Sequence, residues 1–188
     1  MSPDPSPAVR ISRVDVHDDA ALAAWHDLVE RSERHDHGDL KTVWTLPELT
    51  AELRSGRRQV SSAAYVGTVG GRPVVWGMTM LPQLDNLATA DMGVAVPPEE
   101  RSRGYGSAMV RHLEAEAVAA GRSVLTAEAM WPVTAPRDGV GQAGVEFAQR
   151  HGFSVGNVEV KRGLRCPVPT ERLDELAASA APWHEGYV

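Results

Sequence analysis

The sequence predicts a mixed α/β fold in one domain, and three observations support this. Apolar stretches with strand and helix periodicity follow one another in the order β α α β β β α β α β. Of the 188 residues, 43% are hydrophobic, which is enough to form one buried core. No internal repeat divides the chain. We therefore expect a globular domain over residues 9–165, a flexible arm at 1–8, and a linker and helix at 166–188.

The first half of the chain contains a strand, two helices and a hairpin. "VRISRVDV" alternates apolar and polar residues, as a half-buried strand does. Asp18 or Asp19 can cap the helix that follows. The apolar residues of this helix recur at helical spacing: Leu22, Trp25, Leu28 and Val29. "TLPELTAELRSG" has capping-box spacing and a proline in its first turn, which predicts a second helix. Two strand-like runs around Gly70 and Gly71 predict a hairpin.

The second half alternates strands and helices. "LATADMGVAV" predicts a fourth strand, and the amphipathic segment after it predicts a helix that ends at Gly121. "SVLTAEAM" predicts a buried fifth strand, and "GVEFAQRHGF" predicts a helix that ends at Gly152. "VGNVEVKRGL" predicts a final strand or pair of strands.

Composition argues against several classes of protein. The formal charge of −6 is unlike the basic surface of a general nucleic-acid binder. No apolar run approaches the roughly 20 residues that span a bilayer, and "MSPDPSPAVR" lacks the pattern of a signal peptide, so we expect a cytoplasmic protein without membrane partners. The single cysteine, Cys166, has no partner for a disulfide or a Cys-x-x-Cys metal site. "HDH" at 35–37 is too small a set for zinc, so we expect a solvated helix end and no metal.

Two glycines and two arginines lie together where the fourth strand passes into the next helix. The start of a helix has free N–H groups that bind phosphate well when no side chain blocks them, and Gly104 and Gly106 remove that obstruction. Arg101 and Arg103 add positive charge. The two prolines after the strand end its pairing, so an extended ligand can align with its free edge. The segment suits a ligand with an extended amide arm joined to a pyrophosphate.

These residues resemble the signature of the GNAT superfamily of acyl-coenzyme A-dependent N-acyltransferases. That signature is Arg or Gln, two residues, Gly, one residue, then Gly or Ala; here it is Arg101, Gly104 and Gly106. The order of elements over about residues 9–165 is similar to that of the family. The resemblance implies a central, mostly antiparallel sheet of about six to seven strands with helices on both faces.

The resemblance also implies that acetyl-CoA is the cosubstrate. The backbone N–H groups from Ser102 to Ser107 would bind its pyrophosphate, and Val94 and Val96 would pair with the amides of its pantetheine arm. The complete set of implied coenzyme-binding residues is Val94, Ala95, Val96, Arg101, Ser102, Arg103, Gly104, Tyr105, Gly106 and Ser107.

Two other interpretations of this segment remain open. A dinucleotide-binding fingerprint requires a third glycine at the position of Met109, where it is absent. The second alternative is a helix start whose glycines permit close packing and whose arginines are only solvated.

Acyl transfer to an amine needs a base, because the amine attacks in its neutral form. In the resembled family a carboxylate on the central strands commonly serves as this base, often through a water molecule. Asp91 on the fourth strand and Glu128 on the fifth are the candidates, because a carboxylate in a buried strand is costly unless it is paired. The alternative for each is an ordinary carboxylate at a sheet edge or on the surface.

Several residues are candidates for the proton donor to the departing thiolate. The family's usual tyrosine lies four residues before the glycine of the "GF" pair, and that position is Ala148 here. His151 would serve only if its ring faced the cleft, and Tyr65 is another candidate. Tyr105 lies on the apolar stripe of its helix, so we expect it to pack in the core. A thiolate can also leave without a dedicated acid.

The acceptor is expected to be a primary amine on a small molecule or a protein. The segment between the first two helices is where the resembled family often builds its acceptor pocket. Three tryptophans can line such a pocket or belong to the core: Trp44, Trp76 and Trp131.

The segment after residue 165 is similar to the junction in tandem GNAT proteins, so we expect a second GNAT domain or a homodimer as partner. Two functions stay open. One is an N-acetyltransferase, and the other is a non-catalytic GNAT-like domain that binds acyl-CoA or supports a partner domain.

Overall fold

Five strands form one sheet in the order in which they occur along the chain. The structure is a computed structural model that describes residues 9–162 and 166–184. Its strands are β1 (Arg10–Arg13), β2 (Val60–Val69), β3 (Arg72–Pro82), β4 (Thr89–Ala95) and β5 (Val124–Thr126). Neighbours from β1 to β4 are antiparallel, and β5 is parallel to β4. The predicted mixed α/β fold is confirmed.

The described residues also form five helices: α1 (Asp19–His37), α2 (Leu46–Arg54), α3 (Tyr105–Ala119), α4 (Ala143–Arg150) and α5 (Thr170–Ala180). Short 3₁₀ turns lie at Gly38–Leu40, Pro98–Glu100 and Ala181–Trp183. Asp18 caps α1, because its carboxylate accepts hydrogen bonds from the backbone N–H groups of Ala20 and Ala21, at 2.9 and 3.0 Å. The capping box predicted for α2 forms between Thr45 and Glu48. Local signals therefore predicted both helix starts correctly.

The two faces of the sheet carry different helices. On one face Trp25 of α1 is fully buried and stacks on Trp76 of β3, with ring centroids 5.3 Å apart. On the other face Met109 and Leu113 of α3 are fully buried in a second cluster. Gly77 of β3 permits this packing, because a Cβ there would lie 2.5 Å from the sulfur of Met109. The expected placement of helices on both faces is confirmed.

Over the residues that the structure describes, the sheet has five strands, fewer than the six to seven expected. Residues 154–162, which carry most of the predicted final strand, form no strand. The predicted fifth strand is reduced to the three residues of β5, so it offers only a short edge for a further strand. Val155 and Val160 are 44% and 54% exposed, so burial does not hold this segment against the sheet. The end of the predicted strand, at 163–164, lies outside the described residues.

The ends of the chain were predicted as separate segments. The arm at 1–8 and the last four residues lie outside the described residues. The helix expected after the linker forms as α5, and none of its residues is buried against the part of the chain that the structure describes. The boundary at residue 165 stays a prediction.

Candidate functional site

Strands β4 and β5 separate part of the way along their length. β5 pairs with β4 only as far as the Asp91–Thr126 position, whereas β3 pairs with β4 from Asp91 to Ala95. Beyond Asp91, one edge of β4 therefore has no strand beside it among the described residues. An unpaired edge is a template for an extended chain with amide groups. Val94 and Ala95, predicted to bind the coenzyme, lie on this edge.

The two glycines of the turn before α3 serve different purposes. Gly104 has φ of +81°, a left-handed conformation that glycine adopts without strain, and a Cβ there would meet nothing within 4 Å. Ser102 is also left-handed, with φ of +61°. A Cβ on Gly106 would lie 3.1 Å from the ring of Phe147 and 3.4 Å from Val96. Gly104 shapes the turn, and Gly106 lets α3 approach α4 and β4.

The start of α3 leaves a row of unpaired backbone donors. The first hydrogen bond of the helix runs from the N–H of Ala108 to the carbonyl of Gly104, at 3.0 Å. The six N–H groups from Ser102 to Ser107 donate to no acceptor in the described part of the chain, and no side chain caps the helix. These donors lie at the positive end of the helix dipole, which favours an anion.

Arg101 holds this turn against α1. Its guanidinium donates to both carboxylate oxygens of Asp36, at 2.9 and 2.7 Å, and to the hydroxyl of Ser32 at 3.0 Å. Its Nε donates to the carbonyl of Val96 at 2.9 Å. The charge of Arg101 is therefore offset by Asp36, and the Val96 carbonyl is already occupied.

Arg103 lies on the outer side of the turn, half-exposed, and donates to Glu100 at 3.0 Å. Glu100 is only 4% exposed and also accepts a hydrogen bond from Arg72. The hydrogen bond from Arg72 is the largest influence on the pKa of Glu100, which lies below its ordinary value although burial acts in the opposite direction. Glu100 thus carries the charge that fixes both arginines.

The residues considered as proton donors lie in different places. His151 forms a hydrogen bond of 2.9 Å between its Nε2 and the hydroxyl of Ser107, so its ring lies on the first turn of α3. Tyr105 is 4% exposed within the core, as expected. Tyr65 donates to Glu116, nine residues beyond Ser107 on α3 and about 14 Å along the helix. The Tyr65 hydroxyl is therefore remote from the turn.

The two candidate bases lie near the divergence of β4 and β5. Asp91 is exposed and accepts a hydrogen bond from the hydroxyl of Thr126. It is on the same face of β4 as Gly93, whose α-carbon lies under the ring of Trp76 on the α1 side. Glu128 lies two residues after β5 ends and is exposed, so its predicted place within a strand was wrong.

The tryptophans divide between the core and the surface. Trp76 is 9% exposed and stacked, which confirms its interpretation as core. Trp44 is 50% exposed in the segment between α1 and α2. Trp131 packs against Gly139 in the loop after β5. The hydroxyl of Thr42 contacts the sulfur of Met130 at 3.5 Å. The segment that carries Trp44 therefore meets the loop after β5 that carries Trp131.

Sequence reasoning missed the partners of the arginines. Asp36 belongs to the "HDH" segment that was interpreted as a solvated helix end, and no local signal marks it as a partner of Arg101. Ser32 likewise meets Arg101, and Glu100 meets Arg72, only through the fold. Over residues 9–162 and 166–184, no group of three or more His, Cys, Asp or Glu side chains is placed to hold a metal ion. No helix of the described ranges has the length and apolar character to cross a membrane.

A family model and many solved structures match this chain. The family model of the acetyltransferase (GNAT) family matches residues 22–153, which is more than half of the chain. No curated protein sequence matches the chain.

Solved structures share the fold. The tandem GNAT protein from the clavulanic acid biosynthesis pathway is 25% identical, with a TM-score of 0.61 over 76% of this chain. This chain spans 43% of that protein's length. An aminoglycoside acetyltransferase from an uncultured soil metagenomic sample, in complex with sisomicin, is 14% identical over 84% of this chain and 97% of its own, with a TM-score of 0.61. Glucosamine-6-phosphate N-acetyltransferase from Arabidopsis thaliana is 15% identical over 84% and 99%, with a TM-score of 0.56.

Proposed function

Because the chain belongs to the acetyltransferase (GNAT) family, we propose that it is an N-acetyltransferase that moves an acetyl group from acetyl-CoA to a primary amine. The observation that carries this proposal is the row of unpaired N–H groups from Ser102 to Ser107, which begins beyond the free edge of β4. The two features suit the two parts of the coenzyme, its pyrophosphate and its pantetheine arm.

The proposed coenzyme site relies on backbone groups more than on side chains. The N–H groups at the start of α3 receive the pyrophosphate, and the edge at Val94 and Ala95 receives the amides of the arm. Arg103 adds a half-exposed charge beside the phosphates, whereas Arg101 acts by holding the turn. Ser107 and His151 lie at the end of the same row of donors.

The proposed reaction forms an N–C bond and breaks the C–S bond of the thioester. The amine gives up a proton to a carboxylate, directly or through water, and its lone pair attacks the acetyl carbonyl. The electron pair of the broken bond leaves with the thiolate of coenzyme A. Asp91 is the better placed of the two candidate bases, because it lies where β4 and β5 diverge and a hydroxyl of Thr126 orients it. Glu128 lies in the loop that follows.

A second candidate function is a non-catalytic domain that binds acyl-CoA or supports a partner domain. The observation that favours it is Ala148, a half-buried alanine where the resembled family has its proton-donating tyrosine. His151 does not take the place of that tyrosine, because its Nε2 is hydrogen-bonded to the hydroxyl of Ser107.

The proposed partners follow from the same comparisons. The acceptor is a small-molecule or protein amine that enters on the side where the loops of Thr42 and Met130 meet. A second GNAT domain accompanies this one, either in the same protein or as a second copy. The similarity to a tandem GNAT protein and the exposed Leu173 and Leu176 of α5 support this proposal.

The proposed coenzyme site can be tested by thermal unfolding with three ligands. Acetyl-CoA and coenzyme A should raise the midpoint, because a ligand that binds only the native state stabilises it by about 2.7 kcal/mol at a hundredfold excess over its Kd. Pantetheine is the matched control, since it keeps the amide arm and lacks the pyrophosphate. No shift with acetyl-CoA at about 1 mM would contradict the proposal. A panel of amines, followed by release of free thiol, then tests the acetyl transfer.

A further inference from the structure

A cavity lies on the α3 face of the sheet, remote from the proposed coenzyme turn. Its volume is about 130 Å³, and it lies between β1, β2, β3 and the C-terminal part of α3, open to solvent beside the exposed Arg13, Ser61 and Glu116. Small side chains create the space, since Ala63 comes from the sheet and Ala117 from the helix. Both alanines are buried, so the floor of the cavity is apolar.

The register of the strands places polar groups around this floor. Arg13 of β1 is opposite Tyr65 of β2, and Thr79 of β3 is opposite Ala63. Ala63 and Tyr65 point to the same side of the sheet, because side chains two residues apart on a strand share a face. The hydroxyl of Tyr65 donates to Glu116 of α3 at 3.1 Å.

The cavity has opposite charges on its wall that do not meet. Arg13 and Glu116 both line it, yet within the described residues neither side chain forms an ion pair. The carboxylate of Glu116 accepts one hydrogen bond there, from Tyr65, and the guanidinium of Arg13 donates none. Both charges act on the Tyr65 hydroxyl: burial is the main cause that raises the pKa of Tyr65, Glu116 raises it further, and Arg13 lowers it. Both charges are thus near one hydroxyl, and they form no ion pair with each other.

We propose that this cavity binds a small amino acid as its zwitterion, with the carboxylate on Arg13 and the ammonium group on Glu116. A zwitterion forms ion pairs with both side chains at once, whereas a simple carboxylate pairs only with Arg13 and a simple amine only with Glu116. The volume limits the side chain, because a cavity of about 150 Å³ accommodates a molecule the size of benzene. Thr79 and Tyr65 supply hydroxyl groups beside the ligand. This site is separate from the proposed acetyl transfer and does not depend on it.

Isothermal titration of the full chain with L-alanine tests the proposal, with acetate and methylamine as half-ligands. L-alanine should bind with a Kd of about 1 mM or tighter, and each half-ligand should bind at least about tenfold more weakly. Arg13→Gln and Glu116→Gln should each weaken L-alanine binding by about tenfold or more, since each removes a charge-assisted hydrogen bond. Ser61→Leu, at an exposed position that lines the cavity, should block it.

Matched controls distinguish this cavity from other charged sites. Arg10→Gln changes an arginine of the same strand on its other face, and Glu114→Gln changes an exposed glutamate of α3 outside the cavity. Both should leave the Kd unchanged. Asp91→Asn should also leave it unchanged, which separates this site from an amine bound at the acetyl-transfer site.

Three results would each overturn the proposal. The first is no heat of binding with L-alanine at about 10 mM. The second is equal affinity for methylamine and L-alanine. The third is an unchanged Kd for L-alanine in both Arg13→Gln and Glu116→Gln.

Discussion

Arg101 and Asp36 form a two-pronged ion pair that joins the turn before α3 to the last turn of α1. The two hydrogen bonds are 2.9 and 2.7 Å long. Burial alone would raise the pKa of Asp36, but the hydrogen bonds from Arg101 and His35 outweigh it, so the pKa lies below its ordinary value and Asp36 is ionised at neutral pH. The pair connects the proposed coenzyme turn to the helix that precedes the proposed acceptor side.

Asp36→Asn should weaken acetyl-CoA binding with at most a small loss of stability. Both side chains are about one third exposed, so the pair contributes about 1 kcal/mol or less to stability. The same free energy, lost from the ordering of the turn, corresponds to about a fivefold increase in Kd. Titration calorimetry and chemical unfolding measure the two quantities. Glu30→Gln is the control, because Glu30 lies on the same helix but pairs with Arg34 and Lys41. Equal coenzyme affinity in wild type and Asp36→Asn would show that the pair does not hold the turn.

The two glycines of the turn should respond differently to substitution. Gly104→Ala forces a side chain into a left-handed conformation at a cost of about 1–2 kcal/mol, although space is available for the Cβ. Gly106→Leu overpacks the contact with Phe147 and Val96 and should cost about 1–3 kcal/mol. Gly104→Ala should therefore reduce coenzyme affinity with a modest loss of stability, and Gly106→Leu should damage both. Melting curves with and without acetyl-CoA test this, and a Gly104→Ala variant with unchanged affinity would contradict it.

Acid should remove the contribution of Glu100 to stability. Its folded-state pKa is lowered, chiefly by the hydrogen bond from Arg72, so its contribution is present above the ordinary value of 4.5 and is lost as the pH falls through the folded pKa. The difference in midpoint between wild type and Glu100→Gln should thus be largest at neutral pH and shrink in acid. Glu114→Gln, at an exposed position, is the control and should show little difference at any pH. A constant difference across the range would mean that Glu100 stabilises by packing alone.

The sequence predicted best those features whose causes are local. The capping box at Thr45 and Glu48 and the hairpin around Gly70 and Gly71 need only neighbouring residues, and both form. The final strand failed because a strand needs an edge to pair with, and β5 supplies only three residues.

The candidate site shows the same division. The glycine spacing predicted a turn and a helix start at the right place, since the conformation of Gly104 is a local property. It could not predict that Gly106 is required by a ring 41 residues further along, in Phe147. Both arginines were assigned to a ligand, whereas in the fold Arg101 pairs with the distant Asp36 and Arg103 pairs with Glu100, only three residues away in the chain.

The last prediction concerns the base and decides between an enzyme and a non-catalytic domain. If Asp91 takes the proton of the amine, Asp91→Asn should lower kcat by about 10²- to 10⁴-fold and leave acetyl-CoA affinity nearly unchanged. Glu128→Gln should have the smaller effect, because Glu128 lies beyond the end of β5 in an exposed loop. In wild type the rate should rise with pH through one apparent pKa. Steady-state kinetics over a pH range and coenzyme titration measure these effects.

Ala148→Tyr is the third variant in this series, since it restores the tyrosine of the resembled family on α4. Its hydroxyl should increase kcat if protonation of the thiolate limits the reaction. Full activity in both Asp91→Asn and Glu128→Gln would mean that the acceptor binds already neutral and needs neither carboxylate. If the wild-type chain binds acetyl-CoA, acetylates no amine in a broad panel and is not rescued by Ala148→Tyr, the domain is non-catalytic, and its coenzyme site serves for binding alone.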